Sequence, residues 1–236
     1  MRGSEPVVES LESLTGELSQ VEQEMRGALS DLQAPFSQLV QGHWQAGSPL
    51  LCGAFVLTAG AGAPDTPLLL RRRLYLGAAI EVLRLALAVH TRLLGGTDSS
   101  APIDRSVLGS TILAGDFCFS RAAGLAAQTD SPAVVDIFAH ALQRVSEGTL
   151  RRLFNPGEPA YDVNVELCLS GVAAAGDLAD ASPQVRASEQ QLATLLLEGR
   201  SAQAWQQIEL PPHLLQSLPP HRARRWQALH AWLQIN

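Results

Sequence analysis

Residues Leu76 to Leu153 read LGAAIEVLRLALAVHTRLLGGTDSSAPIDRSVLGSTILAGDFCFSRAAGLAAQTDSPAVVDIFAHALQRVSEGTLRRL. Three apolar segments of helical spacing are separated by two short polar breaks. Gly95-Gly96 supplies the stop of the first segment. Asp104 or Ser106 opens the second, which runs to about Gln128, and Ser131 before Pro132 caps the third, which runs to about Phe154. Neither here nor elsewhere does the chain alternate with the period of two that marks a strand, so the predicted fold class is all-α.

Working upstream, Thr66 before Pro67 reads as the cap of the helix that ends at Leu94. Gly60-Ala61-Gly62-Ala63-Pro64 breaks it from a preceding helix, about Pro49 to Ala59, with Ser48 as N-cap. That helix is apolar nearly all round and should be buried. Gly42 to Ser48 reads as a loop. Leu11, Leu14, Leu18, Val21, Met25, Ala28 and Leu32 form one stripe of an amphipathic helix that Pro35 ends. The stripe reads as a helix packed on the domain rather than a coiled-coil seam, because its polar face is short and has few complementary charge pairs. Downstream, Asn155 to Pro159 is a loop, Ala160 to Asp180 a helix, and Pro183 to Glu209 another, capped by Ser182. After Pro211-Pro212 come a second double proline, three histidines and two tryptophans in one or two short helices. The expected organisation is a helical domain over residues 1–210 and a divergent tail over 211–236.

The 236 residues are 46% apolar, enough for one substantial core. A net charge of -6 without a basic stripe argues against nucleic-acid binding. All 17 basic side chains are arginine. The absence of lysine excludes a Walker-type phosphate loop and a Schiff-base lysine. The most apolar runs, Leu50 to Ala63 and Leu74 to Val89, are too short to span a bilayer or interrupted by Glu81 and Arg84. MRGSEPVVES lacks the basic-then-apolar order of a secretory signal, so a cytoplasmic protein without membrane insertion is expected. Cys52, Cys118 and Cys168, odd in number and set among apolar residues, read as reduced core thiols with no disulfide framework.

The segment GSTILAGDFCFSRA, Gly109 to Ala122, resembles the helix that follows the first aspartate-rich motif of the trans-isoprenyl (polyprenyl) diphosphate synthases. The next helix, with Glu147-Gly148 near its end, resembles that family's next helix. The resemblance spans roughly Ser48 to Leu210 and implies an isoprenoid-synthase-like helical bundle, truncated at the C-terminus. In that family, Mg²⁺ ions held by carboxylates neutralise the diphosphate as it leaves an allylic carbon. The carboxylates of DDxxD share one helix face. Here His90 is followed by Thr91, Arg92 and, at the last position, Gly95. The second motif resembles Trp205-Gln206 with Glu209, one carboxylate in place of several. No two acidic residues are adjacent anywhere in the chain. The family's GKxxRP-like stretch falls on Trp44 to Pro49 without its basic residues, and its lysine-threonine pair falls on Asn164-Val165.

The resemblance therefore implies a polyprenyl-synthase-like pseudoenzyme without catalytic residues, metal ligands or cofactor, acting as the non-catalytic or regulatory subunit of a heteromeric synthase. The interface is expected over Asp104 to Gln128 and Ser131 to Leu153, with Leu113, Asp116, Phe117, Phe119 and Arg121 as candidate contacts. Self-association is the other form of pairing. The alternative reading is a carrier or sensor for an isoprenoid or other lipid, with Ala86 and Leu87 lining its cleft. Among other candidates, His90 reads as a packed histidine. Asp177 and Asp180 read as a solvated pair on one helical face. Trp226 and Trp232, with Leu229 and Leu233, form either a partner-binding stripe or a packed face.

Overall fold

The computed structural model describes residues 5–45, 49–94, 105–155, 161–201 and 207–235. Among the described residues every regular element is a helix: α1 (Glu5–Ala28), α2 (Phe36–Gln45), α3 (Leu51–Ala59), α4 (Pro67–Leu94), α5 (Arg105–Ala127), α6 (Pro132–Phe154), α7 (Val163–Leu178), α8 (Pro183–Ser201), α9 (Pro212–Gln216) and α10 (Pro220–Ile235).

All nine residues of α3 are buried, because the helix is apolar on every side and other helices surround it. Gly53 and Gly77 let α3 and α4 approach closely, and Gly171 of α7 lies on Val56. The Gly53 amide donates to Glu81 Oε1 at 3.0 Å, and at the other end Gly60 meets Arg73, so α3 and α4 are antiparallel. Gly171 on Val56, together with a Cys168–Cys52 contact, makes α7 parallel to α3. α5 runs antiparallel along α4, from Ile112 beside His90 to Asp130 beside Arg72. α6 and α7 are likewise antiparallel, with Arg144 against Glu166. The predicted α1 stripe is buried at Leu14, Leu18, Val21 and Met25.

α4 is long and apolar enough over Pro67–Thr91 to cross a bilayer by length and composition, yet 67% of its most apolar stretch is buried inside the bundle. It is the central helix of the core.

α10 enters the core between α1, α3 and α8. Trp226 is fully buried, edge-on to Phe55 at 6.1 Å, and its Nε1 donates to Glu189 Oε1 at 3.2 Å. Arg222 donates to both Glu189 oxygens, at 2.9 and 3.0 Å, and to the Ala59 carbonyl at 2.7 Å. Arg225 bonds Glu17 at 2.6 Å and the Leu57 carbonyl at 3.1 Å, and Arg73 reaches Glu17 from α4 at 3.1 Å. Arg222 and Arg225 satisfy carbonyls at the C-terminal end of α3, where the helix has no further residues to do so. Burial pushes the Glu189 carboxyl above the ordinary range, while Arg222 and the Trp226 indole pull it back.

Several boundaries differ from the sequence reading. Gly42 to Gln45 continue α2, held by Trp44, which packs on the core and lies under Arg26, 5.2 Å from the ring centre. α3 begins at Leu51 rather than Pro49, and Ser48 lies outside the described residues. α7 starts at Val163, after Asp162, whose side chain caps it by accepting from the Asn164 and Val165 amides. α8 stops at Ser201 instead of Glu209, and the chain returns to place Ile208 on Gly199. Asp180 lies beyond the end of α7 in left-handed backbone (φ 52°), while Asp177 pairs with Arg186 at 3.1 Å, so they share no helical face. The expectation of reduced thiols holds only for Cys118, which is buried and free. Cys52 and Cys168 form a disulfide, which the sequence did not reveal because only the parallel packing of α3 on α7 brings them together.

Candidate functional site

One end of the bundle gathers the last turns of α4 and α6 with the first turns of α3, α5 and α7. There His90 and Thr91 lie in the last turns of α4, which runs to Leu94. His90 Nε2 lies 3.2 Å from the Ile112 carbonyl and 3.5 Å from Asp116 Oδ1, and the ring stacks obliquely on Phe119 at 5.1 Å. Its ring occupies the space over Gly115, where any larger residue would displace it. His90 is thus the packed histidine expected, with a carboxylate neighbour that is 26 residues away in sequence. Thr91 is exposed and its hydroxyl donates to the Leu87 carbonyl at 2.8 Å. The Arg92 side chain, Gly95, Trp205 and Gln206 lie outside the described residues; Glu209 is exposed, in irregular chain between α8 and α9.

The one acid of α4 is Glu81, which is fully buried. It accepts from the Gly53 amide at 3.0 Å and from Arg84 Nε at 2.8 Å, so its charge is neutralised inside the bundle. Across the same end, Arg144 donates to Glu166 at 2.6 Å and to Ser170 at 2.9 Å, and Ser170 donates to Glu166 at 3.0 Å. Tyr161 beside them packs its ring on Gly148, where a Cβ would come within 2.6 Å. Burial, reinforced by the Glu166 charge, raises its hydroxyl pKa to about 12. Among the described residues no group of three or more His, Cys, Asp or Glu side chains is placed to hold a metal ion.

Of the candidate contacts on α5, Leu113 and Asp116 are exposed, 61% for Leu113. Phe117 and Phe119 are half-buried against the core. Arg121 bonds Asp31 and lies over the Phe117 ring at 4.9 Å, so both are engaged within the chain. The expected ranges included Ile112, Val135, Leu150 and Leu153 without singling them out and stopped one residue short of Phe154; all five are exposed. The signal lay in α6, where the buried stripe Val134, Phe138, Ala141, Val145 and Gly148 has helical spacing. Leu150, Leu153 and Phe154 fall on the opposite side of that helix. Ala86 is fully buried and Leu87 half-buried against the core. A cavity of about 590 Å³ lies elsewhere, between α1 and α2, lined in part by Leu29, Leu32, Val40 and Trp44.

This arrangement of helices matches solved structures. The fold is that of the isoprenoid synthases. A polyprenyl synthase from Caulobacter crescentus, solved with calcium and isoprenyl diphosphate, superposes with a TM-score of 0.64 at 20% identity over 87% of this chain and 66% of its own. A decaprenyl diphosphate synthase from Rhodobacter capsulatus gives 0.63 at 18% identity, over 80% of this chain and 62% of its own. An isoprenoid synthase family member from Thermotoga neapolitana gives 0.62 at 14% identity, over 92% of this chain and 98% of its own. This chain therefore spans somewhat less than two thirds of the length of the first two. No family model matches the sequence, and no curated protein matches it.

Proposed function

We propose that this chain is a non-catalytic member of the prenyl diphosphate synthase group that works as a regulatory subunit of a heteromeric isoprenyl diphosphate synthase. The observation that carries the reading is the placement of its exposed apolar surface. Six of the nine exposed large apolar side chains among the described residues lie on α5 and α6: Ile112, Leu113, Val135, Leu150, Leu153 and Phe154. Apolar side chains left in water on adjoining helices favour a surface that a partner covers. Near the end of α4 the Thr91 hydroxyl is bonded to its own helix, and Glu81, the one acid of that helix, is buried and paired with Arg84, so neither adds to the several free carboxylates that metal-binding chemistry needs.

The test is co-expression with a synthase that carries both aspartate-rich motifs. The expected outcome is co-purification and an altered product length, with no product from this chain alone on allylic and homoallylic diphosphates plus Mg²⁺. Separate elution together with unchanged product length, or turnover by the isolated chain, overturns the proposal.

A further inference from the structure

The Cys52–Cys168 disulfide joins α3 to α7 across a sequence separation of 116, and both residues are fully buried. Their Cα atoms are 4.5 Å apart, at the short limit of what a disulfide spans. The seam around them has no slack. A Cβ on Gly171 of α7 would come within 2.7 Å of Val56 on α3. Unbonded heavy atoms prefer roughly 3.5–4 Å. Two free sulfurs must therefore push α3 and α7 apart locally, in an interior packed too densely to absorb the change without rearranging.

The two helices are not equally well anchored. Asp162 caps α7, accepting from the Asn164 and Val165 amides at 2.9 and 3.2 Å. Leu50 at the cap of α3 makes no side-chain bond, and the first turn of α3 is held by one side-chain acceptor, Glu81 Oε1, which takes the Gly53 amide at 3.0 Å. With one amide bonded to a side chain where α7 has two, this turn opens at lower cost than the first turn of α7. Cys52 is the second residue of that turn, so opening it exposes the bond while the rest of the core stays packed.

We propose that Cys52–Cys168 is a redox-controlled latch, which when oxidised holds the first turn of α3 against α7 at the end of the bundle that carries His90, and when reduced releases it. The reductant is a dithiol. One of its thiolates attacks a disulfide sulfur, and the S–S electron pair leaves on the other cysteine, which takes up a proton. The second dithiol thiolate then resolves the mixed disulfide. The net change is two protein thiols formed and one dithiol oxidised to a cyclic disulfide. A low-molecular-weight disulfide such as oxidised glutathione reverses it.

The test uses the full chain carrying Cys118→Ala, so that every titratable thiol belongs to the pair. After treatment with oxidised glutathione, no thiol is expected on titration in denaturant. After treatment of the folded protein with dithiothreitol, both thiols are expected, with a melting temperature lower by about 10 °C. Hydrogen exchange should then accelerate in the first turn of α3 and its contacts on α7, and reoxidation should restore the first state. Wild-type protein gives the same result offset by one thiol if the Cys118 variant does not fold. Cys52→Ser/Cys168→Ser should melt like the reduced protein and respond to neither reagent. The proposal is overturned by thiols that persist after oxidation, by a bond that is reduced only once the chain has unfolded, or by a serine variant that melts like the oxidised protein.

Discussion

Cys118 shows what burial does to a single ionisable group. It sits in α5 with no exposed surface, and burial pushes its thiol pKa up to about 11. In the unfolded chain the same thiol ionises near its ordinary value of about 8.5. The unfolded state then holds fewer protons than the native state between the two values, so the contribution of Cys118 to stability is full below the lower value and is lost as pH rises toward the higher. In the oxidised protein, raising pH from about 8 to about 10.5 should lower the urea midpoint. Cys118→Ala should flatten part of that slope while costing about 1 kcal/mol near neutrality. Urea titrations of both proteins at the two pH values check this; equal slopes contradict it. His90 carries the matching lesson about legibility. Its packing was legible from an apolar helix, but its neighbour Asp116 was not, since that pair depends on how far α5 slides along α4.

Among the elements, α10 is the one whose role its sequence least revealed. Its apolar residues, Trp226, Leu229, Trp232 and Leu233, were legible as a stripe, but whether that stripe faces a partner or the parent domain was open. The structure buries it, because Arg222 and Arg225 reach acids on α8 and α1 and the carbonyls that end α3. Trp226→Ala should destabilise the fold by about 3–5 kcal/mol, through the lost packing against Phe55 and the cavity left behind. Arg222→Ala should cost a similar amount, about 3–5 kcal/mol, because it strands Glu189 without its counter-charge inside the core. Chemical denaturation of both variants measures this, and losses under about 1 kcal/mol would show that α10 is docked more loosely than its burial indicates.

For the molecule as a whole, the feature that bears on the proposed pairing is the exposed apolar side of α6. The side of α6 that carries Leu150, Leu153 and Phe154 contributes nothing to the buried stripe of that helix. Leu150→Glu/Phe154→Asp should therefore shift stability by no more than about 0.5 kcal/mol. If the proposed pairing uses that side, the same change should weaken capture by a synthase at least about tenfold, roughly 1.4 kcal/mol of binding. Quantitative pull-down beside a melting curve separates the two effects; unchanged capture moves the interface elsewhere.

Taken alone, the sequence determined the helical class, the order of the helices, the burial of α3 and the absence of paired carboxylates after His90. Each is a local property: apolar spacing follows the helix period, caps sit next to the turns they stop, and a missing acid is missing in any conformation. Only the tertiary structure decided that Cys52 meets Cys168, that Asp116 meets His90, that α10 is core and that Arg121 is already bonded to Asp31. Those outcomes depend on which helices are neighbours, whether they run parallel, and how they are staggered. Small residues such as Gly53, Gly77 and Gly171 set these features by letting backbones approach, which leaves no periodic trace in the chain.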